Sequence, residues 1–228
     1  MKTIGLIGGM SWESSLEYYR IMNEEVKRKL GGLHSAKCLL YSVDFDEIER
    51  YQANGDWESA GKALGEVASS LEKAGAAFIV ICTNTMHKVI DYIEAKINIP
   101  VLHIADATAK QIQRSNMKTV GLLGTKYTME QDFYTSRIDS NGIKVLVPNK
   151  EERNNVNKII YEELCLGHLN HSSKDYYKTV IQHLVDAGAE GIILGCTEIG
   201  LLVKPEDSEV PLFDTTVIHA IEAVKNAL

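Results

Sequence analysis

The sequence lacks several features that would narrow its function at once. Basic residues are not in excess: Lys plus Arg number 24 against 31 Asp plus Glu, a formal net charge of -7 over 228 residues. No basic run able to track a phosphate backbone is present, which argues against nucleic acid as a partner. No apolar run approaches the roughly 20 residues that span a bilayer, and the segment after Met1 is too short for the apolar core of a secretory signal. No membrane partner and a cytoplasmic location are therefore expected. The only cysteines are Cys38, Cys82, Cys165 and Cys196, none of them in a Cys-x-x-Cys pair, so in a reducing compartment they are thiols with a packing or a chemical role. A dinucleotide fingerprint is missing, because Gly5-x-x-Gly8-Gly9 has neither the G-x-G-x-x-G spacing nor the acidic residue that would hold a ribose. No PLP-lysine motif or metal cluster offers a rival chemistry, so no cofactor and no metal are expected. Zinc held by Cys82, Cys196 and His87 is disfavoured, since close ligand spacing is absent and the neighbouring Thr and Asn are poor zinc ligands.

Short apolar runs alternate with amphipathic stretches of helical length from one end of the chain to the other. That is the pattern of parallel sheets with crossover helices, an α/β class. Strands are expected at 3–7, 36–43, 77–81, 101–103, 119–123, 144–147, 191–194 and 211–213. Helices are expected at 12–30, 57–73, 85–96, 106–114, 129–140, 151–166, 173–187 and 215–227, several closed by glycines such as Gly75 and Gly188 that tolerate a left-handed C-terminal conformation. No linker or low-complexity tract interrupts the series.

The informative feature is an internal duplication. Gly5-Leu6-Ile7-Gly8-Gly9 recurs as Gly121-Leu122-Leu123-Gly124-Thr125, and the segment from Ala74 through Cys82-Thr83 recurs, one residue longer, from Ala187 through Cys196-Thr197. Gly5 to Cys82 and Gly121 to Cys196 also span nearly the same length of chain. Two similar α/β units are expected.

In parallel sheets, ligands bind beyond the carboxyl ends of the strands, where loops lead into helix N-termini. Four such loops stand out: Gly8-Gly9-Met10-Ser11, Cys82-Thr83-Asn84-Thr85, Gly124-Thr125 through Thr128, and Cys196-Thr197-Glu198. Their small and hydroxyl-bearing residues suit a carboxylate, such as that of an amino-acid substrate. A lone cysteine at a strand end is usually a small buried hydrophobe. Two at corresponding positions of a duplicated unit, each followed by Thr, fit a two-base reaction, in which a thiolate removes a proton from one face of a carbon and a thiol returns one to the other. Cys38 and Cys165 have no such symmetry and read as structural. Glu198 either orients the second thiol or simply places negative charge at a helix start.

The words GLIGGMSWESS, ICTNTMHKV, LHIADAT, LLGTKYTMEQDFY and LGCTEIGLL resemble the aspartate/glutamate racemase family across essentially the whole chain. The resemblance implies two pseudo-symmetric three-layer domains with mainly parallel sheets, PLP-independent racemisation, and catalytic thiols at Cys82 and Cys196. It implies that Met10, Ser11, Asn84, Thr85, Thr125, Thr128 and Thr197 belong to loops holding the substrate carboxylate and amino group; Thr83 and Glu198, next to the two cysteines in the same loops, are further substrate-binding candidates. It implies a homodimer, and a C-terminal segment that returns to the first half, giving domains of 1–103 plus 211–228 and of 104–210. Aspartate-specific relatives clamp the distal carboxylate with an arginine and a lysine; Arg50 stands near the first position, while Cys165 stands where the lysine is expected. Aspartate or glutamate is the first expectation for the substrate, with broad action on neutral amino acids such as homoserine or methionine as the alternative. Another carbanion enzyme of the superfamily, an isomerase or decarboxylase, and a non-catalytic small-molecule binding protein are the remaining readings.

Overall fold

The structure is a computed structural model that describes residues 1–228, and it divides into two compact units. The first comprises Met1–Ile104 with His219–Leu228, the second Ala105–Ile218. In the first, β1 (Ile4–Gly8), α1 (Trp12–Leu30), β2 (Cys38–Ser42), α2 (Phe45–Ala53), α3 (Trp57–Lys73), β3 (Phe78–Ile81), a 3₁₀ turn (Thr85–Val89), α4 (Ile90–Glu94) and β4 (Val101–Leu102) follow one another. The strands form a four-stranded sheet in the order β2-β1-β3-β4, with every pairing parallel.

After α5 (Ile104–Arg114), the second unit runs through β5 (Thr119–Gly124), α6 (Lys126–Glu130), α7 (Asp132–Asp139), β6 (Lys144–Leu146), α8 (Lys150–Glu162), a 3₁₀ turn (Leu164–Leu166) and α9 (His171–Asp186). It continues with β7 (Ile192–Gly195), α10 (Ile199–Leu202), a 3₁₀ turn (Pro205–Asp207), β8 (Leu212–Asp214) and the start of α11 (Thr215–Ala227). Its sheet, β6-β5-β7-β8, repeats the first one's order and is again wholly parallel. The duplicated words thus occupy equivalent strands: β1 and β5 carry the glycine words, and β3 and β7 lead into the cysteines. No helix is long and apolar enough to cross a membrane.

Both faces of β1 and β3 are buried, which is why these strands read as unbroken apolar runs rather than alternating ones. Side chains alternate between faces along a strand. Ile7, Ile79 and Ile81 pack with Ile48 of α2, Leu64 and Ala68 of α3, and Met86. On the other face Ile4, Leu6, Phe78, Val80 and Cys82 pack with Tyr18, Met22 and Val26 of α1 and with Ala220, Ala223 and Val224 of α11.

Several expected boundaries shift. The 85–96 helix divides into the 3₁₀ turn and α4, the 129–140 helix into α6 and α7, and the 151–166 helix ends at Glu162 before a 3₁₀ turn. Residues 45–53, where neither a strand nor a helix is expected, form the helix α2. The segment 211–228 does not belong as a whole with the first unit. Residues Leu212–Asp214 extend the second sheet by pairing with β7, and the second unit runs on to Ile218, because this second strand partner satisfies the edge of β7 that β5 leaves open.

Candidate active site

In the first unit the glycine loop is fixed by its own hydroxyls. Gly9 has φ of 92°, a conformation that glycine adopts freely, and a Cβ there would collide with the backbone of Val43. Its N–H donates to Ser15 Oγ at 2.8 Å, and Ser15 Oγ donates to the Ser11 carbonyl at 3.0 Å. Ser11, buried, is the N-cap of α1 and accepts from Ser14 N–H at 3.5 Å. Ser14 Oγ in turn donates to the Cys82 carbonyl at 3.2 Å. The start of α1 is thereby tied to the cysteine loop through side chains that the sequence expectations omitted. The signal for them lay in the Ser11-x-x-Ser14-Ser15 spacing, that of a capped helix N-terminus.

Cys82 follows β3 directly, and its N–H continues the β1 ladder by donating to the Ile7 carbonyl at 2.9 Å. Its thiol is fully buried in the cluster shared with Tyr18 and Val80, and that burial pushes its pKa up, with nearby Cys38 adding to the effect. Thr83, Asn84 and Thr85, which follow it, and Met10 of the glycine loop are buried as well. The Thr83 carbonyl lies 2.9 Å from His87 Nδ1.

The second unit repeats this with different side chains. Thr125 caps α6, accepting from Thr128 N–H at 3.3 Å, and the two hydroxyls lie 3.2 Å apart. The extra residue before the second cysteine is Gly195, where a Cβ would stand 2.7 Å from Leu122 Cδ1 and 2.9 Å from the Leu123 carbonyl. Close approach of β5 and β7 excludes a side chain at that point. Cys196 Sγ donates to Glu198 Oε2 at 2.9 Å, and Thr197 Oγ1 donates to the same oxygen at 2.9 Å. All three residues are buried. Burial pushes the Cys196 thiol up, and the adjacent Glu198 carboxylate pushes it further, because a second negative charge there is disfavoured. From the β8–α11 junction, Thr215 Oγ1 donates to the Leu194 carbonyl at 2.7 Å and Thr216 Oγ1 to the Thr197 carbonyl at 3.3 Å.

Among the expected site residues, each unit therefore gathers its own set: Met10, Ser11, Cys82, Thr83, Asn84 and Thr85 in the first, and Thr125, Thr128, Cys196, Thr197 and Glu198 in the second. Arg50 is different. It lies on the outer face of α2 with 66% of its side chain exposed, and its Nε is 3.2 Å from Asp46 Oδ2. Two residues away on either side, about half a turn and so on the opposite face, Ile48 and Gln52 face inward and are buried, and Gln52 Nε2 lies 3.0 Å from Met86 Sδ.

Residues 7–223 match the sequence model of the family described as Asp/Glu/Hydantoin racemase. The chain belongs to that family. Among solved structures, a Yersinia pestis protein provisionally assigned as an Asp/Glu racemase is 58% identical and superposes with a TM-score of 0.92, the match covering 100% of this chain and 99% of that one. An aspartate racemase homologue from Pyrococcus horikoshii OT3 is 38% identical, with a TM-score of 0.84 and the same coverage. The broad specificity amino-acid racemase RacX of Bacillus subtilis is 29% identical over 176 residues, which are 76% of this chain and 74% of the relative. Membership of the Asp/Glu/hydantoin racemase family makes the protein an enzyme, an isomerase of the amino-acid racemase class.

Proposed function

We propose that the protein racemises amino acids without PLP or metal, using Cys82 and Cys196 as the two acid/base groups. The observation that carries this reading is the equivalence of the two Cys–Thr loops, each following the same strand of an identically ordered sheet and each preceded by a hydroxyl-capped glycine loop. Buried thiols at rest are neutral, so one must lose its proton before it can act. The substrate's ammonium group and the loop N–H groups favour the thiolate once substrate has displaced water. The thiolate then takes the α-proton, the electron pair is held on the substrate as a carbanion delocalised into its carboxylate, and the opposing thiol delivers its proton to the other face. In the second unit Glu198 is the group placed to accept the Cys196 proton when that thiol serves as the base.

Arg50 does not favour aspartate or glutamate as the best substrate. Its guanidinium is engaged with Asp46 in solvent, while α2 turns Ile48 and Gln52 inward beside Met86 and Met10. With Arg50 turned outward and Cys165 at the position where a lysine was expected, neither position of the clamp offers a cation to an acidic side chain, a pattern that suits uncharged side chains and is in line with the broad-specificity Bacillus relative. We therefore favour neutral amino acids of the size of homoserine or methionine, with the acidic pair second.

The test is a screen of L- and D-amino acids for appearance of the opposite enantiomer, using dialysed enzyme without added PLP. Neutral substrates should turn over fastest, and Cys82→Ser and Cys196→Ser should each abolish racemisation. Full activity in either variant would remove that cysteine from the chemistry.

A further inference from the structure

Three buried histidines lie together behind the first cysteine loop. His87 and His103 have ring centroids 4.4 Å apart, and His87 and His219 are separated by 5.9 Å. Two of the three rings have fixed tautomers. His219 Nε2 is 2.9 Å from the Leu102 carbonyl, which can only accept, so that nitrogen carries the proton and Nδ1 accepts from Tyr18 Oη at 2.8 Å. His87 Nδ1 faces the Thr83 carbonyl at 2.9 Å, and its Nε2 faces the backbone N–H of Ile104 at 3.2 Å, a group that can only donate. His87 is therefore the Nδ1–H tautomer with both nitrogens in use. Protonation of Nε2 would set two donors against each other at Ile104, and burial together with the neighbouring His103 holds the His87 pKa well below the ordinary histidine range.

Rather than act on substrate, this ring holds the loop. The Cys82 peptide is fixed by β1 at its N–H and by Ser14 at its carbonyl, and the next carbonyl along, Thr83, is fixed by His87. In the second unit the equivalent carbonyl, Thr197, is held by the hydroxyl of Thr216. The same backbone point is braced in both halves, by an imidazole in one and a hydroxyl in the other. At its far end the imidazole also satisfies the N–H of Ile104, the first residue of α5, one of the helix-start donors that has no partner within the helix.

We propose that His87 is a positioning residue of the first Cys–Thr loop, fixing the Thr83 carbonyl and with it the alignment of Cys82 toward the substrate α-carbon. This rests on the assignment of Cys82 as an acid/base group. Misplacement of a reacting group by about 1 Å can cost on the order of 100-fold in rate, so the brace should act on proton transfer at the Cys82 face with little effect on binding.

Two near-isosteres separate its hydrogen bonds. His87→Asn places an amide nitrogen where Nδ1 stands and keeps the Thr83 brace, whereas His87→Gln reaches the Nε2 position and loses it. With α-deuterated L- and D-substrates, His87→Gln should lower kcat by about 10- to 100-fold with KM near wild type. Its primary isotope effect should rise for the enantiomer whose α-proton Cys82 removes and fall for the other, while His87→Asn stays within a few-fold of wild type. Equal losses in both variants with unchanged isotope effects would make His87 a packing residue only and overturn the proposal. An active Cys82→Ser would instead overturn the two-thiol reading on which it rests. Should either variant fail to fold, the wild-type ring is tested directly. Its ¹⁵N resonances must report a neutral Nδ1–H tautomer from pH 5 to 8, and an Nε2–H tautomer or a protonated ring in that range refutes the brace.

Discussion

At Glu198 two effects of one carboxylate can be separated. The group holds the Cys196 thiol at 2.9 Å and raises its pKa, yet on the proposed mechanism it is also the base to which that thiol passes its proton. Glu198→Gln removes the charge and keeps the shape. The thiol pKa then falls, so iodoacetamide should modify Cys196 faster at pH 7.5 than in wild type, while kcat for racemisation drops by about 100-fold, the lower range for loss of general acid–base assistance. Alkylation and turnover falling together would show that Glu198 only shapes the loop. Arg50 gives the opposite kind of expectation. Because its partner is Asp46 at an exposed position, Arg50→Ala should change kcat/KM by less than about threefold for acidic and neutral substrates alike, in keeping with the small worth of surface ion pairs. A selective loss on aspartate or glutamate would bring the guanidinium back into the site.

The long, strongly periodic elements are legible in the sequence: α1 spans the expected residues 12–30, and β1, β3, β5 and β7 lie within or beside the expected runs. What escaped is instructive. α2 was hidden because Asp44-Phe45-Asp46-Glu47 is acidic enough to resemble a polar loop, although Asp44 caps it and Ile48 and Gln52 supply an inward face. β8 was misassigned because three residues of a short edge strand say nothing of which sheet they join; that is decided by long-range pairing with β7. In the site, the cysteines and their threonines were legible through repetition, whereas Ser14, Ser15, Thr216 and His87 act on backbone carbonyls and amides distant in sequence. Caps remain a local property that can be tested without touching the chemistry. Asn149 and Glu152 form a reciprocal capping box on α8, with hydrogen bonds of 3.0 Å in both directions. Asn149→Ala should cost about 1 kcal/mol in denaturant unfolding and leave kcat/KM unchanged; loss of activity at full stability would place α8 closer to the chemistry than its cap.

For the molecule as a whole, the buried His219 makes stability sensitive to acid. Burial pushes the His219 pKa down to about 3, with His87 beside it lowering it further, against about 6.5 in the unfolded chain. The folded state keeps this ring neutral while the unfolded state binds a proton, so its contribution is fully present above pH 6.5 and is lost as pH falls toward 3, at about 1.4 kcal/mol per pH unit. Between pH 7.5 and 5 the wild type should therefore lose about 2 kcal/mol more than His219→Gln; parallel losses would mean that the ring is not kept neutral. The duplicated architecture itself makes a stricter demand. On the proposed reading, the Cys–Thr loops delivered by two sheets of identical strand order each serve one face of the substrate. Racemisation from a single enantiomer in D2O measures this directly. Product that carries solvent deuterium at Cα while early recovered substrate stays protiated is the expected result, and equal early labelling of substrate and product would contradict inversion by two thiols.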